Sequence, residues 1–262
     1  MNLLLPGMYF AADTALHRLD PRVKMGAALV LMAVPFAARH PVGHLLTVGL
    51  VGAAVVLSRA PWRALLGTLR TVFWLGLFMF FFYFFTTPGR PLIALGRVTV
   101  TLEGLLAGGL QVYRLCLLAV IAALLTYTTS PLQLTHGLEA MLSPLARLGF
   151  PVRELGMVLT IALRFVPTFF EEMETLARAQ KARGVDLGSG APWQRIRNTV
   201  PILVPLFLSA IRRAEELAVA MDARGFRSHP NRTRLYRLTL SRADGIAVLI
   251  VLACSVAGMV IR

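Results

Sequence analysis

Residues 71–89 read TVFWLGLFMFFFYFFTTPG, a run without a single charged side chain and with aromatic rings packed into its centre, FWLGLFMFFFYFF at 73–85. A helix needs about 20 predominantly apolar residues to cross a bilayer, and this stretch is long enough and apolar enough to do so. Its bulk of rings suits a surface that meets lipid or the helices of a partner. The rest of the chain agrees with a lipid environment. Of its 262 residues 56% are hydrophobic and only 15% charged, with a mean hydropathy of +0.68, outside the usual range of a soluble domain.

Working outward, uncharged apolar runs recur at 25–38, 41–58 and 245–261, and a further run at about 105–127 carries one charge, Arg114. The first is short and is expected to form a tight helical hairpin with the second through Arg39, His40 and Pro41. The expectation is an all-α polytopic membrane protein with about five transmembrane helices. The amino terminus lacks an early basic region and is broken by Pro6 and Asp13, so it does not read as a cleaved signal peptide. Cys116 and Cys254 lie in apolar runs without CxxC spacing and read as small buried hydrophobes.

Cations near the helix ends set the orientation. Arg18, Arg22, Lys24, Arg59, Arg63 and Arg70 fall on one side, and Arg39, Arg90, Arg97 and Arg262 on the other. The segment 128–242 decides the matter, with 16 Lys plus Arg against 9 Asp plus Glu. The predicted organisation is a membrane domain at 1–127 with about four spans, a cytoplasmic helical coupling domain at 128–242 and a final span at 243–262. The overall charge of +14 favours anionic lipid or acidic protein partners, and membrane segments make nucleic acid the weakest candidate.

Three helices are expected in the polar segment. The first covers about 131–148, with Ser130 as N-cap and Pro131 at the first helical position. The second covers about 152–182, and the third starts near 192 or 200 and ends at 223. The apolar parts of the last two, LGMVLTIALRFVPTFF and PILVPLFLSAI, are short and run directly into charged turns. They read as half-buried amphipathic helices at the membrane surface rather than as further spans.

Each of these two helices carries an acidic pair (Glu171 and Glu172; Glu215 and Glu216) and ends in the same signature. AQKARGVDLGSG at 179–190 and AMDARGFRSH at 220–229 both hold Ala-Arg-Gly, with Arg183 and Arg224 standing 41 positions apart. Gly184 and Gly225 sit where a left-handed residue stops a helix. One reading makes the arginines helix caps, favoured by the dipole by roughly 0.3 to 1 kcal/mol. The other makes them docking groups: small neighbours leave each guanidinium free to enter a partner's groove and pair with a carboxylate.

Rival classes find little support. His17 with Asp20, or His136 with Glu139, lie close in sequence, but no HExxH or paired metal-ligand spacing appears, which speaks against a membrane enzyme. A secondary transporter would be expected to repeat its membrane halves, whereas here the repeat lies in the polar segment. Arg114 calls for a partner inside the membrane, either a structural one such as a backbone carbonyl or an interface with another subunit.

At HRLDPRVK (17–24), TTSPLQLTHGLE (128–139), LTIALRFVPTFFEE (159–172), AQKARG (179–184), PILVPLFLSAIRRAEELAVAMDARGFR (201–227) and RTRLYRL (232–238) the chain resembles the transmembrane T component (EcfT) of energy-coupling factor transporters. These are ABC importers of vitamins and metal ions in prokaryotes. The resemblance implies a non-catalytic subunit of the cell (inner) membrane whose crossed coupling helices dock into two ABC ATPases. Ala182, Arg183 and Gly184 would meet one ATPase, and Ala223, Arg224 and Gly225 the other. It also implies an integral membrane S component that captures the substrate, with Arg114 and Arg164 as possible structural or S-component contacts. ATP and Mg would be bound by the ATPases, with no cofactor on this chain. A shared T component and a dedicated cobalt, nickel or biotin version both remain open.

Overall fold

In the computed structural model, residues 14–38, 40–89, 91–95, 98–185, 191–226 and 240–260 are described. Arg39, Arg90, Arg97, Arg262 and the RTRLYRL stretch lie outside them. The element order is α1 (Ala15–Arg18), α2 (Pro21–Ala37), α3 (Pro41–Ser58), α4 (Trp62–Thr86), β1 (Pro91–Leu95), β2 (Val98–Thr101), α5 (Leu102–Thr128), α6 (Pro131–Leu142), a 3-10 helix (Ser143–Leu148), α7 (Val152–Ala182), α8 (Pro192–Ala223) and α9 (Arg242–Val260). The molecule is an all-α membrane protein apart from the ribbon β1–β2, an antiparallel pair whose register shifts between Pro91 and Ile93. Contacts divide it into two compact units, 1–142 with 238–262 and 143–237.

In the first unit α3, α4 and α5 are long and apolar enough to cross a membrane, and α2 and α9 pack beside them. Helix starts follow local chemistry. Asp20 caps α2 by accepting from the Arg22 N–H at 2.9 Å, and Pro21 follows at the first position. Thr101 caps α5 by accepting from the Gly104 N–H at 3.1 Å, while its hydroxyl donates to the Thr87 carbonyl at 2.8 Å. Helix α4 begins at Trp62, earlier than the uncharged run at 71, because Arg63 and Arg70 fall within its first turns with their side chains exposed. Gly104 and Gly108 let α4 approach α5 closely: a Cβ on either would stand 3.0–3.1 Å from a backbone carbonyl oxygen of α4.

The core between these helices is formed by Ala28, Val51, Leu117, Ile121 and Leu124. A second cluster joins Leu65, Ala123 and Tyr127, whose hydroxyl lies 3.1 Å from that of Thr68. The rings of Phe73, Trp74, Phe78, Phe81, Phe82 and Phe85 stay exposed on α4, as a lipid-facing surface requires. Helix α6, which the sequence groups with the polar segment, packs on α2 and belongs to the first unit. Gly137 permits this, since a Cβ there would meet Met25 and Pro21 at 3.0 and 3.1 Å.

Buried polar groups join the ends of four helices. The Asp20 N–H donates to Asp244 Oδ1 at 2.8 Å, and the Ser241 N–H donates to Asp244 Oδ2 at 2.7 Å. Lys24 Nζ donates to the carbonyls of His17 and Thr128, each at 3.0 Å. The second of these is one of the last carbonyls of α5, which have no partner within their own helix. Asp20, Lys24 and Asp244 are all buried, so each must be hydrogen-bonded to be tolerated there.

The second unit consists of the 3-10 helix, α7 and α8. Two hydrogen-bonded side chains tie the long helices together. Pro205 has no N–H to offer the Pro201 carbonyl one turn earlier, and Gln180 Nε2 on α7 donates to that oxygen instead, at 3.4 Å. Arg213 Nη2 on α8 lies 3.2 Å from Glu172 Oε2 on α7. Positions late in α7 therefore meet positions early in α8, and the two helices run antiparallel.

Candidate docking site

The two Ala-Arg-Gly signatures end α7 and α8 with one geometry. Arg183 is the C-cap of α7 at φ −86° and ψ 6°, and Arg224 that of α8 at φ −88° and ψ 9°. After Arg183, the Gly184 N–H donates to the Lys181 carbonyl at 3.0 Å and the Val185 N–H to Gln180 at 3.0 Å. After Arg224, the Gly225 N–H donates to Asp222 at 2.8 Å and the Phe226 N–H to Met221 at 2.9 Å. These are the paired bonds of a Schellman end, which needs a left-handed residue at the glycine. Gly184 at φ +85° and Gly225 at φ +66° supply it.

The cap satisfies the terminal carbonyls through backbone N–H groups, so the guanidiniums are not required for that purpose. Both arginines are exposed, with Ala182 and Ala223 exposed before them and Gly184 and Gly225 after them. Neither forms an ion pair with another described residue. A Cβ at Gly184 or Gly225 would meet nothing within 4 Å, so there is open space at each tip. Because Gln180, three residues from one tip, touches Pro201 near the far end of α8, the tips lie at opposite ends of the pair. At 1.5 Å rise per residue they stand roughly 35 Å apart.

Between the two helices runs an apolar groove lined by Ile161, Phe165 and Phe169 of α7 and by Leu217, Met221 and Phe226 on the α8 side. Phe226, just past the second tip, folds back into it. Arg164 lies on α7 with its side chain exposed and forms no ion pair with a described residue. Arg114, on α5, has a structural partner: its Nε donates to the Pro35 carbonyl at 2.9 Å, and its guanidinium lies 5.2 Å from the centre of the Phe36 ring. Sequence reasoning missed Gln180 and the Glu172–Arg213 pair. The first could have been found from the spacing of Pro201 and Pro205, which frees one carbonyl inside a helix.

An apolar helical unit joined in one chain to a long helical pair with two matching tips defines a membrane component. Comparison with known proteins gives the family. The model of the family described as Cobalt transport protein (CbiQ) matches residues 12–235. The energy-coupling factor transporter transmembrane protein EcfT of Acidaminococcus fermentans is 40% identical over 247 residues, covering 94% of this chain and 92% of its own. Those of Thermanaerovibrio acidaminovorans and Listeria innocua are 42% and 41% identical, with 97% of this chain covered in each case and 94% and 96% of their own. The chain belongs to this family of transmembrane transporter components.

Proposed function

We propose that the chain couples ATP hydrolysis by two ABC ATPase subunits to substrate uptake through a membrane-embedded S component. Arg183, between Ala182 and Gly184, enters a groove on one ATPase, and Arg224, between Ala223 and Gly225, enters the equivalent groove on the other. The observation that carries this reading is the pair of matching Schellman ends, each presenting an exposed arginine, at opposite ends of one antiparallel helix pair. Closure of the ATPase pair changes the distance between its two grooves, and rigid helices transmit that change. The chain contains no GxxxxGK[ST] phosphate loop, so ATP and Mg belong to the partners and hydrolysis to the assembled complex. The S component carries the specificity for a vitamin or metal micronutrient.

In this reading five helices, α2 to α5 and α9, cross a prokaryotic inner membrane. The second unit, with the amino terminus, faces the cytoplasm, as its basic excess requires. The test is Arg183→Glu, Arg224→Glu and the double variant, followed through copurification of ATPases and substrate uptake. Like charges in a partly desolvated groove cost several kcal/mol, so the double variant loses its ATPases. Each single variant holds on through the intact tip and is weakened. Unchanged thermal stability of the isolated chain confirms that folding is intact. Normal ATPase recovery and uptake in the double variant would leave the arginines as simple helix ends.

A further inference from the structure

The Glu172–Arg213 ion pair joins equivalent positions of the repeat. Glu172 precedes Arg183 by the same number of residues as Arg213 precedes Arg224, and the two paired residues are themselves 41 apart. When equivalent positions of two antiparallel helices touch, a local twofold axis passes between them. The flanking contacts obey the same axis. Ile161 and Met221 share the groove on one side. Their equivalents are Ile202 and Gln180, and on the other side Gln180 binds Pro201, the neighbour of Ile202.

This register also corrects the alignment that the acidic pairs suggest. Glu171 and Glu172 fall opposite Arg212 and Arg213 in the repeat, not opposite Glu215 and Glu216. The charge is therefore complementary across the axis. Apolar side chains recur every turn along both helices, so apolar packing alone nearly repeats itself when one helix slides by a turn, about 5.4 Å. A charge pair does not repeat in that way, as single polar positions show when they fix the register of coiled coils.

We propose that Glu172 and Arg213 are positioning residues: they fix the register of α7 on α8 and through it the spacing of the two arginine tips. This rests on the docking reading only where the partners use that spacing. In the correct register the axis lies midway between Arg183 and Arg224, so the pair of tips is symmetric about it. A slip by one turn changes their separation by one turn, about 5.4 Å, and takes Glu172 and Arg213 apart.

The experiment uses the complete transporter with Cys116→Ala and Cys254→Ala, spin labels at Ala179→Cys and Ala220→Cys, and pulsed distance measurement. The labelled positions are equivalent, exposed and clear of the tips. Glu172→Arg and Arg213→Glu, which place like charges at the axis, are expected to shift or broaden the distance by about one turn (~5 Å) and to reduce uptake at least about tenfold. The exchange Glu172→Arg with Arg213→Glu restores the single distance and brings uptake to within about twofold of the parent, and Arg213→Lys retains both. An unchanged distance in both single variants, or a properly assembled exchange variant that keeps the slipped distance, overturns the proposal. Distances that follow the charges while uptake and ATPase retention ignore them uphold the register role and remove the docking reading instead.

Discussion

The Arg114 guanidinium donates across 2.9 Å to the carbonyl oxygen of Pro35, which places the one charge of the 105–127 run against the carboxyl end of α2. That carbonyl lies in the last turn of its helix, where no intrahelical N–H reaches it, and a cation there is also favoured by the dipole. Replacing Arg114 with Leu leaves the oxygen bare in an apolar setting. Thermal unfolding in detergent is expected to show a loss of about 1–3 kcal/mol. Arg114→Lys, which keeps a donor but loses the guanidinium over the Phe36 ring, should fall between.

Gly43 on α3 meets Gly258 on α9 backbone to backbone. A Cβ at Gly43 would stand 2.6 Å from the Gly258 carbonyl oxygen and 3.1 Å from its Cα, and neither atom can move aside without the helix. Gly43→Ala should separate α3 from α9 and cost about 1–3 kcal/mol. Gly258→Ala, whose Cβ has its nearest neighbour at 3.3 Å, should cost less. Gly52→Ala in the same helix as Gly43, with nothing within 4 Å, should be neutral or stabilising. Thermal stabilities of the three variants check this order.

Gly184→Ala and Gly225→Ala isolate the backbone at the tips. Nothing crowds either site, so the whole cost comes from holding an L residue at positive φ, about 1–2 kcal/mol each. Hydrogen exchange of the last turns of α7 and α8 should accelerate in both variants. Arg183→Ala, whose φ of −86° suits any residue, should leave exchange there nearly unchanged. Equal exchange in the glycine and arginine variants would contradict the assignment of the caps.

Orientation is checked with Ala182→Cys in a chain carrying Cys116→Ala and Cys254→Ala. A membrane-impermeant maleimide should leave intact cells unlabelled and react after permeabilisation. Strong labelling of intact cells would place the second unit outside.

Helix ends were legible wherever a residue type dictates backbone geometry. Pro41 opens α3, and Gly184 and Gly225 close α7 and α8 at the expected residues. The start of α4 was not, because a run defined by the absence of charge stops at Arg70, while a helix tolerates an arginine that reaches outward. The ribbon β1–β2 left only the brief alternation VTVT at 98–101, too short to separate from a loop. Lys24 read as one more cation at a membrane face. Its burial rests on the carbonyls of His17 and Thr128, the second 104 residues away, and no local pattern encodes such a pairing. The tips were legible as a repeat, but their opposed placement required the contacts between α7 and α8.

The bond from the Asp20 N–H to Asp244 spans 224 residues, and this sets a timetable for biosynthesis. A ribosome adding 5–20 residues per second makes Asp244 roughly 10–45 s after Asp20. Until then the start of α2 sits at the bilayer without the acceptor that later covers it. Helix α9 is thus the piece that seals the start of α2, and a nascent chain stalled before α9 displays an open polar seam there. Synthesis of α9 and closure of the membrane unit are one event.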